Sequence, residues 1–133
     1  MAFSFNESYI KPNSPITIML QAKASTTYNI GDALNFTGGV LEKATGTTAP
    51  THICSAYYVA PASGMKKIPV VPANEGQLYK TTFAADASAV TEGSKVTIHT
   101  DAAQVTATTT NGVATIVKKY GTGASGTACL VKF

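Results

Sequence analysis

The sequence predicts an all-β fold, a small barrel or sandwich built from two meanders. Three observations carry it. The chain has twenty Thr and twenty Ala, while charged residues are only 13% of the total. Threonine's branched Cβ suits a pleated surface, and Ala packs where backbones approach closely. Short alternating runs are separated by Gly, Pro and Asn clusters at turn positions. Only one run, 84–90, favours a helix, and seven residues hold at most a single turn. At 133 residues the chain is sized as one domain, 16–133, preceded by an arm, 1–15.

Residues 1–15 place Phe3, Phe5, Tyr9 and Ile10 among polar residues and close on Pro12 and Pro15. They have no helical period, so they read as an extended arm. Exposed aromatics on such an arm dock on something, either the domain itself or a partner. Ile16, Ile18 and Leu20 alternate in a first strand. The stretch 28–59 reads as a meander, with strands from Ala33 and Val40, a Gly38-Gly39 reversal, and a third strand from Ile53. The run 66–72 contains Pro69 and Pro72, which lack a ladder donor, so an edge position is expected. Gln77 to Phe83 and Lys95 to His99 are strands. Val105 to Thr110 and Val113 to Tyr120 flank Asn111-Gly112, a type I′ hairpin signal. The last strand runs from Thr127 to Phe133.

An internal echo accompanies this order. Gly31-Asp32-Ala33-Leu34-Asn35-Phe36 lies on Gly93-Ser94-Lys95-Val96-Thr97-Ile98, and Ala44-Thr45 then falls near Ala107-Thr108. A chain rich in Thr and Gly repeats itself by composition as well, so the echo alone does not establish a duplication.

Chemistry finds little to build on. The net charge of +3 comes from ten scattered lysines with no arginine, the residue suited to bidentate phosphate contacts. Nucleic acid is not an expected partner. Gly121 to Gly126 matches G-x-G-x-x-G, but a strand rather than a helix is expected after it, so no pyrophosphate would be held. His52, Cys54, His99 and Cys129 are the soft metal-ligand candidates, without a C-x₂-C pair. Buried free thiols are expected, with no metal and no cofactor. Ser125, His99 and Asp101 supply triad residue types without a nucleophile elbow. No enzyme is expected. The N-terminal residues lack the pattern of a secretion signal, and no run reaches membrane-span length. The expectation is a protein made in a reducing host cytoplasm, with no membrane partner.

The strings YNIGDALNFTGGVLEKATGTTAPTHICSAYYV and GSKVTIHTDAAQVTATTTNGVATIVKKYGTGASGTACLVKF resemble phage head decoration (capsid cement) proteins. The resemblance is of pattern and covers residues 16–133. It implies a structural virion protein on the outer capsid surface, bridging major capsid protein subunits, as a homo-oligomer with a trimer favoured. Phe3, Phe5, Tyr9 and Ile10 on the arm would then be the capsid-binding residues. The alternative is a receptor- or carbohydrate-binding β domain of a fibre or spike, with Tyr57, Tyr58, Tyr79 and Tyr120 as the platform. The absence of Trp weighs against it.

Overall fold

Gly38 and Gly39 both take positive φ, 59° and 81°, and close a tight hairpin between two alternating strands. Around this hairpin the described residues make twelve strands. They are β1 (Ser4–Ser8), β2 (Ile18–Gln21), β3 (Thr27–Tyr28), β4 (Ala33–Thr37), β5 (Val40–Lys43) and β6 (His52–Cys54). β7 (Tyr58–Val59), β8 (Lys67–Pro72), β9 (Gln77–Thr82), β10 (Lys95–Val96), β11 (Ala114–Lys119) and β12 (Ala128–Lys132) follow. This computed structural model describes residues 2–8, 16–73 and 76–133, and none of these is helical. The run 84–90 makes only a turn, closed by the Val90 amide on the Ala87 carbonyl at 3.0 Å.

Two five-stranded antiparallel sheets form, consistent with a sandwich and not closed into a barrel. The first has the order β2-β8-β6-β4-β5, the second β1-β9-β12-β11-β10. A bridge between Ala22 and Leu41 draws the outer strands of the first sheet together at one end without closing it. β3 and β7 form a small two-stranded sheet.

Three local expectations change. The stretch 28–59 is not a simple meander: β6 pairs with β4 rather than β5. β4 thereby becomes a central strand, and Ala33 and Leu34 are buried on opposite faces of it. β8 is not at an edge but between β2 and β6. Its prolines are tolerated by position. The N–H and C=O of a strand residue point to the same side, and successive residues alternate sides. The Pro69 carbonyl accepts from Ser55, just past the end of β6, so its missing donor falls there too. Pro72 points the other way, beyond the first residue of β2. Asn111 does turn, with φ 54°, but β11 pairs with β10 and β12, not with 105–110. A Cβ on Gly112 would sit 2.4 Å from the Lys95 carbonyl carbon. The small residue therefore serves the approach of β10 as much as the turn.

The echo extends to register. Ala33 faces Ile53 and Leu34 faces His52; Lys95 faces Thr115 and Val96 faces Ala114. Displacing each number by 62 turns one set into the other. The same displacement relates the amide bonds Gly31 to Cys54, Cys54 to Asp32 and Thr51 to Leu34 to Gly93 to Ile116, Ile116 to Ser94 and Val113 to Val96. β2–β8 and β9–β12 correspond at a displacement of 61, as Ile18↔Val70 and Tyr79↔Val131 show. The one-residue difference is absorbed in loops. The two halves share one strand topology.

They stack in series. One core cluster, including Tyr28, Leu34, Leu41, Cys54, Ile68 and Val70, lies on the inner face of the first sheet. The equivalents of Leu34, Cys54, Ile68 and Val70 are Val96, Ile116, Cys129 and Val131, in the larger cluster. Ala33 and Ile53, from the other face of the first sheet, belong to that larger cluster as well. The back of the first half thus packs on the inside of the second.

Candidate interaction surface

The aromatic arm proves to be partly structural. Phe3 is 2% exposed and sits in the larger core, with its ring 5.2 Å from Phe133, edge to face. Phe5 is half-buried and stands 6.3 Å from Tyr79. β1 pairs with β9 through Ser4↔Lys80 and Ser8↔Gln77. Residues 3–8 therefore dock on their own domain, one of the two destinations expected for an aromatic arm. Tyr9 and Ile10 lie outside the described residues. An apolar cleft of about 300 Å³ opens beside this strand, lined by Phe3, Phe5, Ile30, Ile53, Val71 and Tyr79 among others.

The exposed apolar side chains are elsewhere. Ile16 is 68% exposed, Ile18 36% and Met19 55%. All three stand at or beside β2, the outer strand of the first sheet, whose strand partner among the described residues is β8 alone. An outer strand carrying apolar side chains offers both ladder groups and surface to another chain. Alternation placed Ile16, Ile18 and Leu20 on one side; only Leu20 is packed against the inner core. Periodicity states which residues share a face but not where the covering layer ends.

The other candidate groups are separated. Cys54 is in the inner cluster of the first sheet and Cys129 in the larger core, both as free thiols. Burial pushes both thiols up, Cys129 to about 12. The Thr51 hydroxyl accepts the Phe36 amide at 2.9 Å and lies 2.8 Å from His52 Nδ1. Burial lowers the pKa of that histidine. Among the described residues, no group of three or more His, Cys, Asp or Glu could hold a metal ion. The Ser125 hydroxyl donates to the Ala84 carbonyl, and the Asp101 carboxylate accepts the amides of Ala103 and Gln104. Each therefore has a local structural partner. Tyr79 is 1% exposed and the Tyr58 hydroxyl accepts the Lys66 amide, while Tyr57 is 65% exposed. The four tyrosines do not form one platform. No described helix is long and apolar enough to cross a membrane.

Comparison with protein-family models, curated proteins and solved structures finds no match to this chain.

Proposed function

We propose that the protein is a structural virion component that binds the outer surface of a phage head and stabilises it by bridging major capsid subunits. The observation that supports this reading best is the apolar outer strand at Ile16, Ile18 and Met19. A two-sheet scaffold holds such an edge rigid against a partner. Many copies per shell make weak single contacts effective, and binding to the assembled shell alone stabilises it by mass action. A homotrimer on the shell is part of the proposal, as is contact through Tyr9 and Ile10.

The test is co-sedimentation with phage heads before and after expansion. The expected outcome is binding to expanded heads only, weakened about tenfold or more by Met19→Lys with Ile16→Ser, a loss of about 1.4 kcal/mol or more. Equal binding to both head forms, or to neither, would overturn the reading.

A further inference from the structure

The second sheet has an outer face whose counterpart in the first sheet is covered. Its inner face is fixed by Tyr79, Val96, Ala114, Ile116, Cys129 and Val131, all in the larger core. The residues between them point away. Two cross-strand rows result. In one, Lys80 and Lys118 flank Leu130; in the other, Lys132 and Lys95 flank Thr115. Each lysine pair is two strand spacings apart, about 10 Å, and the rows are about 7 Å apart. Four of the ten lysines thus form a staggered array on one face.

The array is organised, and no ion pair among the described residues involves it. The Lys80 and Lys118 ammonium groups each stand 5.1 Å from the centre of the Tyr120 ring. Like charges at this spacing repel, and the ring's negative faces hold both in place. Leu130 beneath them is only 5% exposed, which fits lysine stems and the Tyr120 ring lying over it. Both ion pairs among the described residues, Lys23–Glu42 and Lys43–Asp32, are in the first half. The described carboxylates of the second half are engaged otherwise. Asp86 accepts the Ser88 amide, Glu92 the Lys119 amide, and Asp101 the amides of Ala103 and Gln104.

The sister half shows what this face is shaped to do. The equivalents of Lys95, Thr115 and Lys132 are Ala33, Ile53 and Val71. Ala33 and Ile53 pack in the core between the halves, and Val71 lines the cleft there. The same geometry that receives a sheet in the first half carries cations in the second.

We propose that this face, through Lys80, Lys95, Lys118 and Lys132 around Tyr120, docks on a carboxylate-rich protein surface. The partner's chemistry follows from charge complementarity, which steers and orients association. A protein partner fits better than nucleic acid, because the face has no arginine and presents one tyrosine already held between lysines. The inference rests on the assembly reading in taking the acidic surface to be on the phage head.

Two probes separate the surface from that reading. Salt elution from immobilised poly-L-glutamate and from duplex DNA tests the face itself; binding to expanded heads tests its partner. Wild type should be retained on polyglutamate more strongly than on DNA. The fourfold variant Lys80→Gln, Lys95→Gln, Lys118→Gln, Lys132→Gln should elute with the void and bind heads at least tenfold more weakly. Lys66→Gln with Lys67→Gln, the same kind of change on the other sheet, should stay within about twofold of wild type. Near-ultraviolet dichroism checks that the fourfold variant is folded. If it is not, the pair Lys80→Gln and Lys118→Gln decides, with intermediate losses expected. Unchanged head binding by the folded variant would overturn the inference and leave the assembly reading standing. Wild type that binds no heads, yet needs the four lysines for polyglutamate, would support the acidic-surface face and remove the head as its partner. Tighter retention on DNA would overturn the proposal in favour of nucleic acid.

Discussion

The two halves fill equivalent cores with exchanged residues. Ala22 and Tyr28 in the first half correspond to Phe83 and Val90 in the second, so the large aromatic moves from one position to the other. Cys54 and Ile68 correspond to Ile116 and Cys129, a reciprocal swap of the same two residue types. Total volume is what a core must conserve, and compensated exchanges keep it. The backbone hydrogen bonds then repeat although few side chains do. The halves differ most where something is added to one of them. The first half has the extra pair β3–β7, and its regular β4–β5 hairpin is matched in the second half only by an irregular ladder between 97–99 and 104–108. The second half receives β1, and a lysine takes the place of the β3–β7 ladder.

The most severe way to break this equivalence is at two matched glycines. Gly31 and Gly93 have nearly the same backbone, φ 87° and 92°. A Cβ at Gly93 would meet nothing within 4 Å, whereas at Gly31 it would lie 2.3 Å from the Ala2 Cβ. Gly93→Ala should therefore cost only left-handed strain, about 1–2 kcal/mol. Gly31→Ala adds displacement of Ala2 and of buried Phe3 and should cost about 3–5 kcal/mol, the range for losing a core aromatic. Ala2→Gly should bring the Gly31→Ala cost down toward that of Gly93→Ala. Urea unfolding measures all of these, and equal costs at the two glycines would mean that residues 2–3 are not tied to the core. For the same reason, removing the arm as far as residue 14 would empty the Phe3 site and not merely trim a tail.

Much of this architecture was legible locally, and the limit is physical. Gly38-Gly39 and the alternation at Ala33 to Phe36 depend on neighbouring residues, and each was readable; Asn111-Gly112 marked a turn but not the strands it joins. The matched glycines at 31 and 93 pointed toward the shared topology of the halves, which composition left ambiguous. Which strand β6 would join was not readable, because Ile53 and Cys54 are apolar on both faces and fit beside β4 or β5 equally well. Phe3 carried no local sign of burial, since its cover comes from Phe133 at the far end of the chain. The lysine array was dispersed over four strands, so it showed no run; only the register gathers it. The apolar strand at Ile16 to Met19 had the right period for a core, and its exposure depends on where the sheet ends.

The exchanged cysteines sharpen the comparison through pH. Burial raises both thiols, so the folded state holds them neutral while the unfolded chain ionises near its ordinary value. A raised acid contributes full stability below the unfolded pKa, about 8.5, and loses it as pH rises toward the folded value, about 12 for Cys129. The loss attributable to Cys129 at pH 10 should be roughly 1–2 kcal/mol. Cys129→Val should flatten the decline between pH 8 and 11 more than Cys54→Val does. The reverse order would place the drier environment in the first half instead.

The smallest effect is expected at Lys119, which replaces a strand pair by a point charge. In the first half, the segment at Thr27–Tyr28 is held by the β3–β7 ladder. Its equivalent near Val90 has no such ladder; the Lys119 ammonium donates to the carbonyls of Val90 at 2.9 Å and Ala87 at 3.1 Å. Lys119→Met keeps the apolar stem and removes the donors. Because the side chain is half-exposed, water can replace part of what is lost, and the global cost should be about 1 kcal/mol. The local consequence should be larger than the global one. Amide exchange at Val90, whose bond to Ala87 closes the turn, should quicken well beyond that of β12, while Tyr28 on the ladder side should follow the global change. Equal acceleration at Val90 and Tyr28 would mean that the ammonium is not the latch of the second half and that packing of Ala87 and Val90 alone holds the turn.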